Sequence, residues 1–146
     1  MRLFLRDRRL DLEPGRPALM GIINANHDSV SDRTRLASLE AQVRRAEEMV
    51  QAGATLIDVG AESGRTDQAP RRSGQERALL LPLVEALVKG GITVSVDTWK
   101  FEVAASAIGA GAHLINDVSG LADERLAELA AASGAGLVLM HTRAAP

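Results

Sequence analysis

The sequence predicts an α/β protein built from parallel βα repeats, and three observations support this. Apolar, β-branched runs typical of buried strands alternate along the chain with segments of helical periodicity. Three of the helical segments end in a Gly-Ala type stop, at residues 52–54, 110–112 and 133–135. Continuously apolar strands separated by helices are typical of a parallel sheet that is covered by helices.

The individual elements follow from local patterns, taken from the N-terminus. Residues 1–17 combine a short apolar-polar alternation, charges and a Pro-Gly pair, and they predict either a small hairpin or a capping segment. Strands are predicted at residues 18–24, 55–60, 92–97, 113–118 and 137–141, and helices at about 34–51, 73–89, 100–108 and 123–133.

Two helix starts carry recognisable capping signals. Residues 73–76, Ser-Gly-Gln-Glu, fit a capping box in which Ser73 and Glu76 satisfy free amides reciprocally. Asp123 is placed to cap the fourth helix. Pro82 lies inside the second helix and predicts a kink or a break there.

All five predicted strands end in polar groups, and these groups are the candidate functional residues. They are Asn24, Asp58, Asp97, Asn116 with Asp117, and His141. The carboxyl ends of parallel strands share one edge of a sheet, where ligands bind in folds of this class. Asp97 is expected near the centre of that edge, and a carboxylate there is costly unless something pairs with it.

Two of the neighbouring polar residues have competing interpretations. Asp58 could bind a ligand or anchor a neighbouring loop. His141 could be a core histidine or a site residue, and Lys100 is expected on the surface in the first turn of the third helix. The topology is open between a flavodoxin-like sheet and a (β/α)₈ barrel. Length favours the open sheet, because 146 residues fall short of the roughly 250 of a typical barrel.

Composition narrows the classes of function. The formal net charge is −2 with no long basic run, and aromatic residues make up only 2%, so nucleic-acid binding is not expected. There is no cysteine, which excludes disulfides and thiolate chemistry. No apolar run approaches the roughly 18–20 residues of a membrane span, and the N-terminus does not resemble a secretory signal. We therefore expect a cytoplasmic protein of one domain.

Five segments resemble the signatures of dihydropteroate synthases, in the same order and spacing. Residues 20–32 read MGIINANHDSVSD against the family's MGILNVTPDSFSD, and residues 57–65 read IDVGAESGR against IDVGGESTR. Residues 94–100, VSVDTWK, are similar to ISVDTxK. Residues 115–120 match INDVSG, and residues 138–141 match VLMH.

This resemblance implies a pterin-binding barrel of the TIM (β/α)₈ type rather than an open sheet. It covers the family's first five strands, so residues 1–146 are expected to form the N-terminal part of a truncated barrel. It also implies a transferase of folate biosynthesis, which joins a dihydropterin-methyl pyrophosphate to 4-aminobenzoate and releases pyrophosphate with the help of Mg²⁺.

The resemblance assigns four substrate-binding residues and no catalytic side chain. Asp97 and Asn116 match residues that bind the pterin ring. Asn24 matches the asparagine near the metal and the pyrophosphate, and Arg65 matches an arginine that meets the pyrophosphate or the second substrate.

Departures in two loops support an alternative function. Asn26 and His27 replace the family's threonine and proline, and Gly64 replaces a threonine that contacts substrate. The alternative is a non-catalytic pterin-binding homologue, or a half-barrel module that needs a partner chain. Since five strands of a barrel leave two sheet edges unpaired, we expect a homo-oligomer or a complex with a partner half.

Overall fold

The computed structural model describes residues 1–25, 38–61 and 71–141. A hairpin of β1 (Arg2–Leu5) and β2 (Arg8–Asp11) comes first. Strands and helices then alternate as β3 (Leu19–Asn24), α1 (Leu39–Gln51), β4 (Ala54–Gly60), α2 (Ser73–Lys89), β5 (Val94–Asp97), α3 (Phe101–Gly109), β6 (Leu114–Asp117), α4 (Arg125–Ser133) and β7 (Gly136–Leu139). The predicted βα alternation is therefore confirmed.

The later strands are shorter than predicted, and the chain's hydrogen bonds explain why. The amide of Ile92 donates to the carbonyl of Leu87 in α2, so it still belongs to the helix end, and β5 starts only at Val94. The start of β6 at Leu114 is only one residue later than predicted, and the amide of His113 already donates to the carbonyl of Val94 in β5.

The five strands from β3 to β7 form one parallel sheet whose order follows the chain, β3-β4-β5-β6-β7. A flavodoxin-like sheet reverses its strand order part-way, which places helices on both faces. When the strand order follows the chain without reversal, right-handed crossovers place all the helices on one face of the sheet, as in the wall of a barrel. The expectation of an open sheet, drawn from length alone, is therefore wrong, because the chain forms a segment of barrel wall.

The main core lies between the outer face of this sheet and the helices. Outward-pointing residues of β3 to β6 are buried under the helices, among them Ile23, Val59, Val96 and Ile115. The helices meet them with Ala46, Leu80, Leu83, Leu87, Val103 and Leu126. Burial of each large side chain contributes about 1.5–3 kcal/mol, which is why the helices stay on this face.

The N-terminal hairpin closes the amino end of the inner face. Leu5 packs in a second, smaller core with Leu56 of β4 and Leu114 of β6. Gly136, the first residue of β7, makes this packing possible, since a side chain there would collide with Leu5. The hairpin therefore occupies the end of the wall opposite to the predicted site.

Hydrogen bonds from Arg6 attach the hairpin to distant parts of the chain. Its guanidinium donates to the carbonyl oxygens of Ile108 at 2.8 Å and Ala112 at 2.9 Å. Its backbone amide donates to the carbonyl of Gly134 at 2.7 Å. These bonds join the first residues to the ends of α3 and α4.

The helix starts differ from the capping predictions. Arg72, not Ser73, is the N-cap residue of α2, and no side chain caps this helix, so the predicted capping box is wrong. Helix α2 runs through Pro82 without a break. The N-cap of α4 is Glu124, one position later than the predicted cap Asp123, although the carboxylate of Asp123 accepts the amide of Arg125 at 3.1 Å.

Large apolar side chains on the inner face stay exposed above the hairpin. Ile22 is 67% exposed, Met20 44% and Val138 47%, and all three come from the edge strands β3 and β7. Within the described ranges, none of the helices combines the length and apolar character needed to cross a membrane.

Candidate functional site

Three predicted site residues and a glycine form one row across the carboxyl end of the sheet. Asn24 of β3 is the register partner of Gly60 in β4, Gly60 is the partner of Asp97 in β5, and Asp97 is the partner of Asn116 in β6. Register partners in a parallel ladder share one face, so the three polar side chains point to the inner face. We call these four residues the rim row. Its polar side chains are half-buried and hence accessible to a ligand.

Gly60 leaves open the space above β4 in the middle of the rim row. A Cβ atom built there would lie 3.4 Å from Oδ2 of Asp97 and 3.5 Å from its Cβ. Any larger side chain would extend into the space between Asn24 and Asp97. The glycine thus leaves room for a flat group to approach the Asp97 carboxylate from the inner face.

Asp58 lies one step below the rim row and is only 3% exposed. Its Oδ1 accepts the hydroxyl of Ser95 at 2.5 Å, and its Oδ2 accepts the side-chain amide of Asn116 at 3.2 Å. Burial raises the pKa of the Asp58 carboxyl, and these two hydrogen bonds oppose the rise. A buried carboxylate therefore supports the rim row from beneath.

A second buried carboxylate holds the turn that follows Asp97. Glu76, 1% exposed, accepts the hydroxyl of Thr98 at 2.7 Å and the ammonium of Lys100 at 2.6 Å. Lys100 also donates to the carbonyl of Arg71 at 2.8 Å, and its side chain is only 14% exposed. The expectation of a surface Lys100 is therefore wrong. We call Glu76, Thr98 and Lys100 the Glu76 clamp.

The clamp fixes the backbone next to the rim row. Thr98 directly follows Asp97, and its amide donates to the carbonyl of Asn116 at 3.2 Å. At the other end of the row, the amide of Ala25 donates to the carbonyl of Gly60 at 2.7 Å. Backbone hydrogen bonds therefore fix the chain directly after Asn24 and directly after Asp97, the two neighbours of Gly60 in the rim row.

Comparison with known families identifies the family and the fold. The sequence model of the family described as "Pterin binding enzyme" matches residues 20–146, which include the whole rim row. The chain belongs to the pterin-binding enzyme family. This match reaches all five strands of the parallel sheet and leaves out the hairpin, its link to β3 and Leu19, the first residue of β3.

Individual relatives in this family are dihydropteroate synthases. The enzyme of Escherichia coli K12 is 40% identical over 100% of the chain, which covers 51% of that enzyme. The enzyme of Bacillus subtilis is 39% identical over 86% of the chain and 45% of the relative. The chain thus spans about half the length of the curated relatives it matches.

Solved structures of pterin-binding enzymes share the fold. Dihydropteroate synthase from Yersinia pestis, in a sulfonamide complex, gives a TM-score of 0.88 at 41% identity, over 100% of the chain and 53% of that structure. The Thermus thermophilus enzyme with 4-aminobenzoate gives 0.80 at 45% identity, over 97% and 49%. The same enzyme with 6HMPPP gives 0.74 at 43%, over 97% and 47%. The sheet and helices therefore follow the barrel of this family.

The structure brings together some of the predicted site residues and separates others. Asn24, Asp97 and Asn116 share the rim row, whereas Arg65, with His27 and the other altered loop residues, lies outside the described residues. Asp117 faces away from the rim, where its carboxylate accepts the amides of Ser119 and Leu121. His141 is exposed and lies beyond the end of β7.

The described part of this pterin-binding enzyme offers few metal ligands. Among residues 1–25, 38–61 and 71–141, no group of three or more His, Cys, Asp or Glu side chains is arranged to hold a metal ion. The amide oxygen of Asn24 is a suitable but single ligand. Mg²⁺ commonly takes only one or two protein ligands and completes its shell with water and substrate phosphates. The residues present fit an ion of this kind that arrives with a pyrophosphate.

Proposed function

We propose that this chain forms the pterin-binding part of a dihydropteroate synthase. The reaction is the condensation of a dihydropterin-methyl pyrophosphate with 4-aminobenzoate in folate biosynthesis. The observation that carries the proposal is the rim row, in which Asp97 and Asn116 stand as register partners beside the opening at Gly60. Relatives at about 40% identity that are dihydropteroate synthases support the same reaction.

The chemistry of the rim row matches one edge of a pterin. The ring carries adjacent N–H donors, which a carboxylate and an amide oxygen accept, and Asp97 with Asn116 supplies both groups. Hydrogen bonds to a charged carboxylate are stronger than neutral ones, so Asp97 is expected to contribute most of the ring affinity.

Departure of the pyrophosphate needs positive groups that stabilise the developing charge. We assign this role to Arg65, as the family resemblance implies. A Mg²⁺ ion would be held by Asn24 and would supply Lewis acidity for the leaving group, and Asn24 would orient the end of the substrate that carries the pyrophosphate.

Calorimetry with a dihydropterin-methyl pyrophosphate tests the pterin assignment. We expect the wild-type chain to bind and Asp97→Ala to lose at least about tenfold in affinity, because a charge-assisted hydrogen bond is worth about 1.5–3 kcal/mol. Glu47→Ala is the matched control, because this exposed residue of the outer helix α1 carries the same charge. Equal binding by wild type and Asp97→Ala contradicts the assignment.

A second candidate function is a non-catalytic pterin-binding module that works only with a partner. Exposed apolar residues on the inner face, Met20, Ile22 and Val138, favour a further chain or a second copy of this one covering that face. Light scattering of the 146-residue chain should then show an oligomer, or a complex when the partner half is added. A monodisperse monomer that melts cooperatively by itself contradicts this expectation.

A further inference from the structure

The inner face buries one charged group for which the proposed pterin contacts leave no role. Asp58 accepts hydrogen bonds from Ser95 and Asn116, both of which are neutral donors. Within the described part of the chain, no salt bridge to Asp58 is present. A carboxylate that gives up water for two neutral donors costs folding free energy, so stability does not explain its position.

The hydrogen bond from Asn116 to Asp58 spans a whole strand. Asp58 lies on β4 and Asn116 on β6, with β5 between them. The Nδ2 atom of Asn116 nevertheless lies 3.2 Å from Oδ2 of Asp58, because side chains on the concave face of a barrel wall converge. Asp58 therefore reaches a residue of the rim row from beneath and from two strands away.

Both oxygens of Asp58 accept a hydrogen bond, Oδ1 from Ser95 and Oδ2 from Asn116, and this arrangement limits the orientation of the Asn116 amide. This amide must turn the NH₂ group towards Asp58, since the reversed amide would set oxygen against oxygen at the same separation. The carbonyl oxygen of Asn116 then lies on the branch of the amide that points away from Asp58. Without an acceptor at position 58, either end of the amide could face the ligand.

We propose that Asp58 is a positioning residue, which fixes the side-chain amide of Asn116 so that its carbonyl oxygen faces the ligand beside the carboxylate of Asp97. The rim row then presents two adjacent acceptors and selects ligands with adjacent N–H donors, as on the pyrimidine ring of a pterin. This inference rests on the proposed function for the identity of the ligand. The orientation of the Asn116 amide follows from the contacts of Asp58 alone.

The variant Asp58→Leu tests the proposal, because leucine keeps the branched shape of aspartate but has no acceptor. Ser95→Ala is the matched control, since it removes the other hydrogen bond of Asp58 and leaves the one to Asn116. Two measurements apply to each chain, namely calorimetry with a dihydropterin-methyl pyrophosphate, and hydrogen exchange of the Asn116 side-chain amide by NMR without ligand. Loss of a cross-peak in Asn116→Asp assigns that signal.

In wild type and in Ser95→Ala, we expect one slowly exchanging hydrogen on the Asn116 amide and affinities within about threefold of each other. In Asp58→Leu, we expect fast exchange and an affinity at least about tenfold weaker, with the chain as resistant to urea as the wild type or more so. If Asp58 only stabilised the fold, Asp58→Leu would lower the resistance to urea. A structural role of this kind would not explain faster exchange at the Asn116 amide alone.

Three outcomes overturn the proposal, and a fourth bears on the proposed function alone. The proposal fails if Asp58→Leu binds as tightly as the wild type, or if it keeps the slow amide hydrogen. It also fails if the wild-type amide exchanges fast, a result that needs no folded variant. A wild-type chain that does not bind the pterin contradicts the proposed function, and the exchange data then decide the role of Asp58 by themselves.

Discussion

Asp58 and Glu76 are two buried carboxylates on opposite sides of the same sheet, and their partners differ in kind. Glu76 lies on the helix side and accepts from the ammonium of Lys100 as well as the hydroxyl of Thr98. Asp58 lies on the inner face and accepts only from Ser95 and Asn116 among the residues that the structure describes. Glu76 thus has a cationic partner, whereas the described partners of Asp58 are neutral donors.

This difference separates a structural charge from one that serves a site. A paired carboxylate can hold two elements together, here the start of α2 and the turn after β5. A carboxylate without a cation adds little to stability, but it dictates the orientation of whatever donates to it. Burial of a charge is therefore no guide to its role until its partners are known.

Removing the paired carboxylate should have the larger effect on stability. Glu76→Ala leaves the ammonium of Lys100 partly buried without its carboxylate, and we expect a loss of about 3–5 kcal/mol in the free energy of unfolding. Urea denaturation measures this loss. Glu85→Ala is the control, because Glu85 is an exposed carboxylate on the same helix. Its removal should change the free energy of unfolding by less than about 0.5 kcal/mol. Similar losses in the two variants would contradict a structural role for the clamp.

Neutralising the unpaired carboxylate should have a smaller effect that depends on pH. Burial raises the pKa of Asp58 in the folded chain above its value in the unfolded chain. Below the unfolded pKa both states are protonated and the charge costs nothing, whereas the cost appears as pH rises through the folded pKa and stays above it. We therefore expect Asp58→Asn to gain stability relative to the wild type as pH rises from about 4, where an unfolded aspartate titrates, towards neutral, as urea denaturation at several pH values would show. A difference between the two chains that stays constant over this range contradicts the expectation.

The sequence predicted most of the rim row, because strand ends are local signals. Asn24, Asp97 and Asn116 each follow an apolar run, and parallel strands bring such ends to one edge. The same rule failed for Asp117, since side chains alternate across a strand and only one of two consecutive polar residues can face the site. Whether these residues bind a pterin stays a prediction.

The Glu76 clamp could not be predicted from local spacing. Serine at 73 and glutamate three residues later are typical of a capping box, but Glu76 turns inward to a lysine 24 residues further along the chain. Lysine in a first helical turn usually lies in water, so nothing in its neighbourhood signalled a buried partner. Only the packing of α2 against the turn after β5 brings the two charges together.

The attachment of Arg6 has a consequence for synthesis on the ribosome. The hairpin leaves the ribosome before the residues it binds, since the Arg6 guanidinium donates to the carbonyls of Ile108 and Ala112 and the Arg6 amide donates to Gly134. At a translation rate of roughly 5–20 residues per second, these partners emerge roughly 5–30 s later. During that interval Leu5 has no site in which to pack, because Leu114 is also absent. The hairpin is thus made well before it can dock, and a nascent chain exposes it to chaperones until its partners near α3, β6 and the end of α4 have been made.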